Sequence, residues 1–138
     1  MSDRPAAPAG FVPMEGRGPF TTHNGPFLHD PSGEGSNQAF FARARHCNGL
    51  GIVHGGMLST FLDGLLAGAA SRAHGGAAVT MHLSIDFLDM ARAGEWIVGE
   101  GRLTRMARDV AFVEGRVHTA GRPLARATGV FKLMRRRG

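Results

Sequence analysis

Hydrophobic residues recur at spacings of three and four between Gly55 and Arg72, and this spacing predicts a helix. Its apolar positions are Met57, Leu58, Phe61, Leu62, Leu65, Leu66, Ala69 and Ala70. A helix that is apolar nearly all round is buried at the centre of a protein. Gly64 and Gly68 each cost about 1 kcal/mol of helix propensity relative to alanine. We therefore expect the chain to pack closely against them, and we expect the helix to end at His74-Gly75-Gly76.

From Val79 to Phe87 apolar and polar residues alternate, which predicts a half-buried strand. Three further strand-like runs follow, at Glu95 to Arg105, Val110 to Thr119 and Leu124 to Met134. The connections are too short for parallel crossovers, which need a dozen or more residues, so we expect antiparallel neighbours. The predicted fold class is α+β, with a long antiparallel sheet wrapped around one central helix.

The N-terminal part shows no sustained period. Residues 1–24 are rich in Pro, Gly and small side chains, which is typical of a flexible extended arm. Residues 25–138 are predicted to form a single domain. Within it, a short apolar piece at Pro26-Phe27-Leu28 and a turn at Asp30 to Asn37 precede a second predicted strand, Ala39 to Arg45.

The composition indicates which kinds of partner to expect for this protein. Cys47 is the single cysteine, so no intrachain disulfide can form, and with no signal-peptide pattern and no long apolar run we expect a cytoplasmic protein without membrane contact. The net charge is +5, but the arginines are scattered apart from the run Arg135 to Arg137. Nucleic acid is therefore not the expected partner. A nucleic-acid module acting through that run is kept as an alternative, and steeply salt-dependent binding would support it.

Several common sites are absent from the sequence. There is no phosphate-binding GxxxxGK[ST] loop and no HExxH. The run Gly49 to His54 resembles a dinucleotide fingerprint for three positions and then lacks the third glycine. His46 and His54 are the nearest pair of potential metal ligands, but no carboxylate or cysteine stands at metal spacing beside them. We expect no metal and no cofactor.

The predicted start of the helix, His54-Gly55-Gly56, has the features of an anion site. The first turn of a helix leaves backbone N–H groups unpaired and carries partial positive charge, so it can hold an anion or a developing oxyanion. Glycines there let a ligand approach the backbone, and Asn48 in the preceding turn adds a side-chain donor. The structural alternative is that the glycines and Asn48 simply form a tight turn.

Asp63 is the one acidic residue in the helix. In a structural role its carboxylate would bond a backbone N–H, or Thr60 or Ser59, three and four positions back. In a functional role, a carboxylate withdrawn from water serves as general base or nucleophile. Eight residues separate Gly55 from Asp63, or about 12 Å along a helix, too far for both to act on one carbonyl. Two chains with antiparallel helices would bring them together, which predicts a dimer with shared sites.

These residues together resemble the hotdog-fold acyl-CoA thioesterases of the PaaI-like branch. The family signature N-x-x-G-x-x-H-G-G is matched by Asn48 to Gly56, and the acid eight residues after the first HGG glycine is matched by Asp63. The following V-[ST]-x-x-[LMI] pattern is matched by Val79 to Leu83, and a G-x-x-[VIL] pattern by Gly94 to Val98. The similarity covers residues 38 to 134.

The resemblance implies a role for each matched residue. The Gly55 N–H would bind the thioester oxygen with help from Asn48. Asp63 of the other subunit would be the base or nucleophile, and Thr80 would help to hold the water. His54 would shape the turn rather than transfer protons.

The implied substrate is an acyl- or aryl-CoA, so coenzyme A enters as part of the substrate and not as a cofactor. Arg108 is our candidate for contacting its phosphates. The implied assembly is a homodimer, with further pairing to a tetramer. Two alternatives stay within the fold. One is a non-catalytic acyl-CoA-binding regulator. The other is a dehydratase in which His54 and the partner's Asp63 would form the proton-transfer pair.

Overall fold

The helix predicted from the apolar spacing spans Gly55–His74 in the computed structural model, which describes residues 5–135. All eight apolar residues assigned to its buried face are buried. The helix ends at Gly75, whose φ of 83° suits a glycine, and the Gly75 N–H donates to the Ser71 carbonyl. No helix within residues 5–135 combines the length and the apolarity that crossing a membrane requires.

Seven strands surround this helix, which we call α2. The strands and the second α-helix are β1 (Val12–Pro13), α1 (Pro19–Asn24), β2 (Phe27–His29), β3 (Ser36–Phe41), β4 (Ala78–Phe87), β5 (Trp96–Ala107), β6 (Val110–Thr119) and β7 (Arg122–Leu133). They form one antiparallel sheet in the order β1-β2-β3-β5-β6-β7-β4. The predicted α+β architecture, a long antiparallel sheet with one central helix, is confirmed.

The expectation that β4 neighbours β5 is wrong. β4 lies at the edge of the sheet and pairs with β7, so residues 88–95 carry the chain across the sheet. A short connection determines the relative direction of two strands. It does not force the two strands to pair, because the backbone groups of the connection can bond other parts of the chain. Here the Leu88 N–H donates to the Leu124 carbonyl, and the Ala91 carbonyl accepts from the Val53 N–H at 2.8 Å.

The predicted strand, Ala39 to Arg45, starts and ends three to four residues later in the sequence than the observed strand β3. The observed strand β3 begins at Ser36 because the polar side chains of Ser36 and Gln38 point inward and are buried, a pattern that apolar periodicity does not detect. It ends at Phe41 because the chain then turns into a short 3-10 helix, Ala44–His46. In that turn the Arg43 N–H donates to the His46 ring instead of a neighbouring strand.

The core lies between α2 and the inner face of the sheet. Glycines at the middle of the strands let the helix approach closely. A Cβ at Gly115 would stand 2.7 Å from a Leu66 methyl, and one at Gly101 would stand 3.0 Å from the Leu65 carbonyl. At this depth the helix places Asp63 beside the edge strand β4, where its side chain meets Thr80.

The described part of the predicted arm, residues 5–24, is attached to the domain. β1 pairs with β2, and the Trp96 indole N–H donates to the Pro5 carbonyl at 3.0 Å. α1 is a six-residue helix with no counterpart in the sequence pattern. The boundary at residue 24 and the flexibility of the arm stay predictions.

The surroundings of the two helix glycines, Gly64 and Gly68, predict opposite effects of an alanine substitution on stability. A Cβ at Gly68 would stand 2.7 Å from Ser36 Oγ and 3.0 Å from Gln38 Nε2, whereas one at Gly64 would have 4.0 Å to its nearest neighbour. We expect Gly68→Ala to lower the free energy of unfolding by about 1–2 kcal/mol through overpacking. Gly64→Ala should raise it by up to about 1 kcal/mol through helix propensity.

Urea denaturation of both variants checks this pair, because the substitutions are chemically identical and one helical turn apart. If Gly68→Ala were as stable as Gly64→Ala, the close contact with β3 would not constrain the helix.

Candidate active site

The N-terminus of α2 leaves one backbone donor unpaired. The Gly56 N–H donates to His54 Nδ1 at 2.7 Å, and the N–H groups of Met57 and Leu58 both donate to the His54 carbonyl. The Gly55 N–H has no partner among residues 5–135, and Gly55 is exposed. His54 is therefore the N-cap of the helix, and its two acceptor groups leave the Gly55 N–H available to a ligand.

Asn48 forms the turn before the helix through its side-chain oxygen. Its Oδ1 accepts from the Leu50 N–H at 2.9 Å and from the Ile52 N–H at 3.2 Å. These bonds fix the turn, as the structural interpretation of Asn48 required. They also leave the side-chain nitrogen, Nδ2, without an acceptor among the described residues. Asn48 can thus hold the turn and donate to a ligand at the same time.

His46 holds this turn against the rest of the domain, a role that its sequence context did not reveal. Its backbone carbonyl accepts from the His54 N–H at 2.9 Å. Its buried ring lies 2.8 Å from the Asn24 carbonyl through Nε2, and Nδ1 accepts from the Arg43 N–H at 3.1 Å. Both nitrogens are used, so the ring is neutral, with its proton on Nε2. Burial lowers the pKa of His46 below its ordinary value.

Asp63 bonds neither of the helix hydroxyls that a structural role would use. Ser59 and Thr60 donate instead to the carbonyls of Gly55 and Gly56, at 2.7 and 2.9 Å. The one partner of Asp63 within residues 5–135 is the Thr80 hydroxyl, which donates to Oδ1 at 2.5 Å. Asp63 is half-buried, and none of the described residues bonds its second oxygen. The structure therefore orients this carboxylate and leaves one oxygen to act.

Thr80 lies at the edge of the sheet beside an irregularity. The pairing of β4 with β7 shifts register between Thr80 and His82, so Met81 is an extra residue on the edge strand. Bulges of this kind re-aim neighbouring side chains and are frequent next to active sites. Farther along β4, the exposed ring of Phe87 lies 3.7 Å from the position of a Cβ on Gly55. The edge strand thus runs beside both halves of the site.

The donor and the carboxylate do not meet within one chain. Gly55 and Asp63 lie on one straight element, eight residues or about 12 Å apart. A groove of about 950 Å³ lies elsewhere, along the C-terminal half of α2 and strands β4 to β7, and neither residue lines it. No group of three His, Cys, Asp or Glu side chains within residues 5–135 could hold a metal ion.

Arg108 lies in the turn between β5 and β6, on a different element from Gly55 and Asp63. Its side chain is exposed, and its backbone has a φ of 56°. Val110, two residues later, pairs with Lys132 of β7, and Lys132 pairs in turn with Val79 of β4. The turn is therefore at the Thr80 end of the sheet, two strands in from the edge. Contact between Arg108 and a phosphate stays a prediction.

Comparison with known proteins connects this geometry to a family. A model of the thioesterase superfamily matches residues 50–125. A candidate esterase of Pseudomonas aeruginosa is 36% identical over 129 residues, which cover 91% of this chain and 96% of that protein.

Solved structures agree with that match. A candidate thioesterase related to phenylacetic acid degradation, from Ralstonia eutropha JMP134, is 31% identical, with a TM-score of 0.66 over 71% of this chain and 75% of that one. A Streptococcus mutans protein bound to acetyl-CoA shares the fold at 23% identity, with a TM-score of 0.73 over 80% and 90% of the two chains. PaaI proteins also share this fold. The resemblance to the PaaI-like thioesterases is confirmed.

The buried ring of His46 predicts a loss of stability in mild acid. In the unfolded chain this ring takes up a proton near pH 6.5, whereas in the folded chain it does so only at lower pH. A proton on Nδ1 would point at the Arg43 N–H, which needs that nitrogen as its acceptor. The unfolded state therefore holds more protons in that window, so stability falls as the pH drops below about 6.5. Urea denaturation between pH 7.5 and 5 should show a steeper decline for the wild type than for His46→Gln. Equal slopes would contradict this assignment.

Proposed function

This chain belongs to the thioesterase superfamily, and we propose that it hydrolyses acyl- or aryl-CoA thioesters to the free acid and coenzyme A. That it is a hydrolase follows from the family and from its esterase relative. The choice of a CoA thioester rests on the site and on the acetyl-CoA that a protein of the same fold binds. The observation that carries the proposal is the division of α2 into an unpaired donor at Gly55 and an oriented carboxylate at Asp63.

The donor end suits the negative charge that develops during thioester hydrolysis. The Gly55 N–H points out of the first turn of a twenty-residue helix, where the helix dipole adds partial positive charge. When water attacks the carbonyl carbon, this N–H would receive the new oxyanion, with Asn48 Nδ2 as a second donor. Because the donor is fixed before the reaction, it stabilises the transition state more than the ground state, typically by about 3 kcal/mol.

The carboxylate end suits the activation of that water. The Thr80 hydroxyl holds one oxygen of Asp63, and the other would take a proton from the attacking water. The hydroxide forms the bond to the carbonyl carbon, and the tetrahedral intermediate then breaks its C–S bond. The thiolate of coenzyme A leaves and recovers the proton from Asp63.

The second subunit is required by the distance between the two ends. We propose a dimer in which Gly55 of one chain faces Asp63 of the other. Exposed apolar side chains support this assembly because they follow β4 and the turns beside it, where a second chain would cover them. They are Leu50 (77% exposed), Val79 (52%), Met81 (61%), Phe87 (54%), Leu88 (49%) and Met90 (58%). The pairing of two such dimers into a tetramer remains a prediction.

The positive charge of the chain suits coenzyme A, which is a polyanion. The net charge is +5, and Arg108 stands exposed at the Thr80 end of the sheet. We propose that a phosphate of coenzyme A is bound there, with the thioester near Thr80 and Asp63.

Removing the carboxylate charge should abolish turnover and leave the fold intact. Asp63→Asn can keep the hydrogen bond from Thr80 but cannot accept a proton, so we expect kcat to fall by about 100-fold or more. Release of free thiol from a panel of short, long and aromatic acyl-CoAs measures it. Asp86→Asn is a matched control, because Asp86 lies on the same edge strand and pairs with Arg126 on the surface.

A wild-type rate in Asp63→Asn would overturn the assignment of the base. Survival of every intact acyl-CoA during incubation with the wild-type protein would instead support the non-catalytic binder.

The shared site predicts complementation between two inactive chains. Gly55→Pro removes the proposed donor at the first helical position, where proline is favoured, and His54 already has the extended backbone (ψ 137°) that precedes a proline. Gly55→Pro and Asp63→Asn should each be inactive alone. In mixed dimers one of the two sites is intact, so co-expression should restore about a quarter of the wild-type activity.

Light scattering checks that all three preparations have the same mass. If the mixture were no more active than its components, donor and base would not come from different subunits.

A further inference from the structure

We infer that Arg122 is a positioning residue for the site, because it fixes the crossover segment 88–95 on which the oxyanion-binding turn rests. This inference deepens the proposed function and depends on it only for the activity part of its test. Arg122 is the first residue of β7 and lies outside the residues assigned to the chemistry.

The Arg122 guanidinium joins both ends of the crossover segment. It donates through Nη1 to Asp89 Oδ2 at 3.0 Å and to the Met90 carbonyl at 2.6 Å, and through Nη2 to Glu95 Oε1 at 3.1 Å. The other oxygen of Glu95 accepts from the Arg92 N–H at 2.7 Å. The Met90 N–H and Arg122 together hold the pKa of Asp89 below its usual range. One side chain thus bonds the segment near its start and near its end.

Ala91 transmits this constraint to the site. It stands between the bonded residues, is 1% exposed, and its carbonyl accepts from the Val53 N–H at 2.8 Å. This bond belongs to the antiparallel bridge that pairs Ile52 with Arg92. Val53 directly precedes the N-cap, so the position of the Gly55 N–H depends on where the crossover segment lies.

The geometry needs an arginine at this position. Two nitrogens of the planar guanidinium donate to three acceptors at once. The single ammonium of a lysine can form only some of these hydrogen bonds. The residue is 40% exposed, so its contribution lies in fixing geometry more than in ion-pair energy. Small displacements matter at such a site, because a shift of about 1 Å in a positioned group can cost a hundredfold in rate.

Arg122→Ala should therefore lower kcat by at least about tenfold, with KM changed much less, because the lost interaction is one made in the transition state. Arg122→Lys should recover part of the rate. Arg126→Ala is the matched control, since Arg126 lies on the same strand and its one ion-pair partner within residues 5–135 is Asp86, outside the crossover segment. It should keep the wild-type kcat.

Hydrogen exchange gives a readout that needs no substrate. The N–H groups of Val53 and His54 are bonded in the wild type, and their exchange should accelerate by about tenfold or more in Arg122→Ala but not in Arg126→Ala. The dimer should persist in light scattering.

Wild-type exchange and wild-type kcat in a folded Arg122→Ala would overturn the inference. So would a loss of activity that accompanies dissociation into monomers, because Arg122 would then act through assembly. If the wild type hydrolyses no thioester, the proposed function fails, while the exchange experiment still decides the role of Arg122.

Discussion

A helix advances about 1.5 Å per residue and cannot bend its own N-terminus toward a side chain two turns later. In this protein that rigidity separates the unpaired Gly55 N–H from the carboxylate of Asp63. Within residues 5–135 the Gly55 N–H has no partner, and Asp63 bonds only Thr80 because Ser59 and Thr60 donate to backbone carbonyls. The proposed chemistry, the need for two subunits and the exposed apolar edge all follow from this one fixed separation.

The sheet makes the separation usable because it holds the helix at a fixed depth. Glycines such as Gly101 and Gly115 bring α2 close to the strands, and at that depth Asp63 reaches Thr80 on the edge strand. The same packing buries Met57 and Leu58 in the first turn of the helix but leaves Gly55, its first residue, exposed. Stability and reactivity therefore depend on the same contacts, so a substitution that lifts the helix would disturb both.

The sequence predicted what periodicity and spacing encode. Apolar residues at helical spacing identified α2 and its buried face, and alternation identified β4 to within one residue. Pairing was harder, because the eight residues that follow β4 can cross the sheet once Leu124 and Val53 satisfy their backbone groups. The start of β3 was missed because Ser36 and Gln38 are polar yet inward-facing. The contact of His46 with Asn24 and the contacts of Arg122 with the crossover segment join residues more than twenty positions apart, so no local sequence pattern predicts them.

The two edges of the sheet differ in a way that bears on assembly. One edge is β1, a two-residue strand that contains Pro13, and short strands with proline resist further pairing. The other edge is β4, which is ten residues long and carries exposed Val79 and Met81. An exposed apolar edge strand favours pairing with another chain. Because β1 resists such pairing and β4 does not, we expect association at β4. Because Thr80 lies on this edge, the surface that a second chain would cover is also the surface that orients the proposed base.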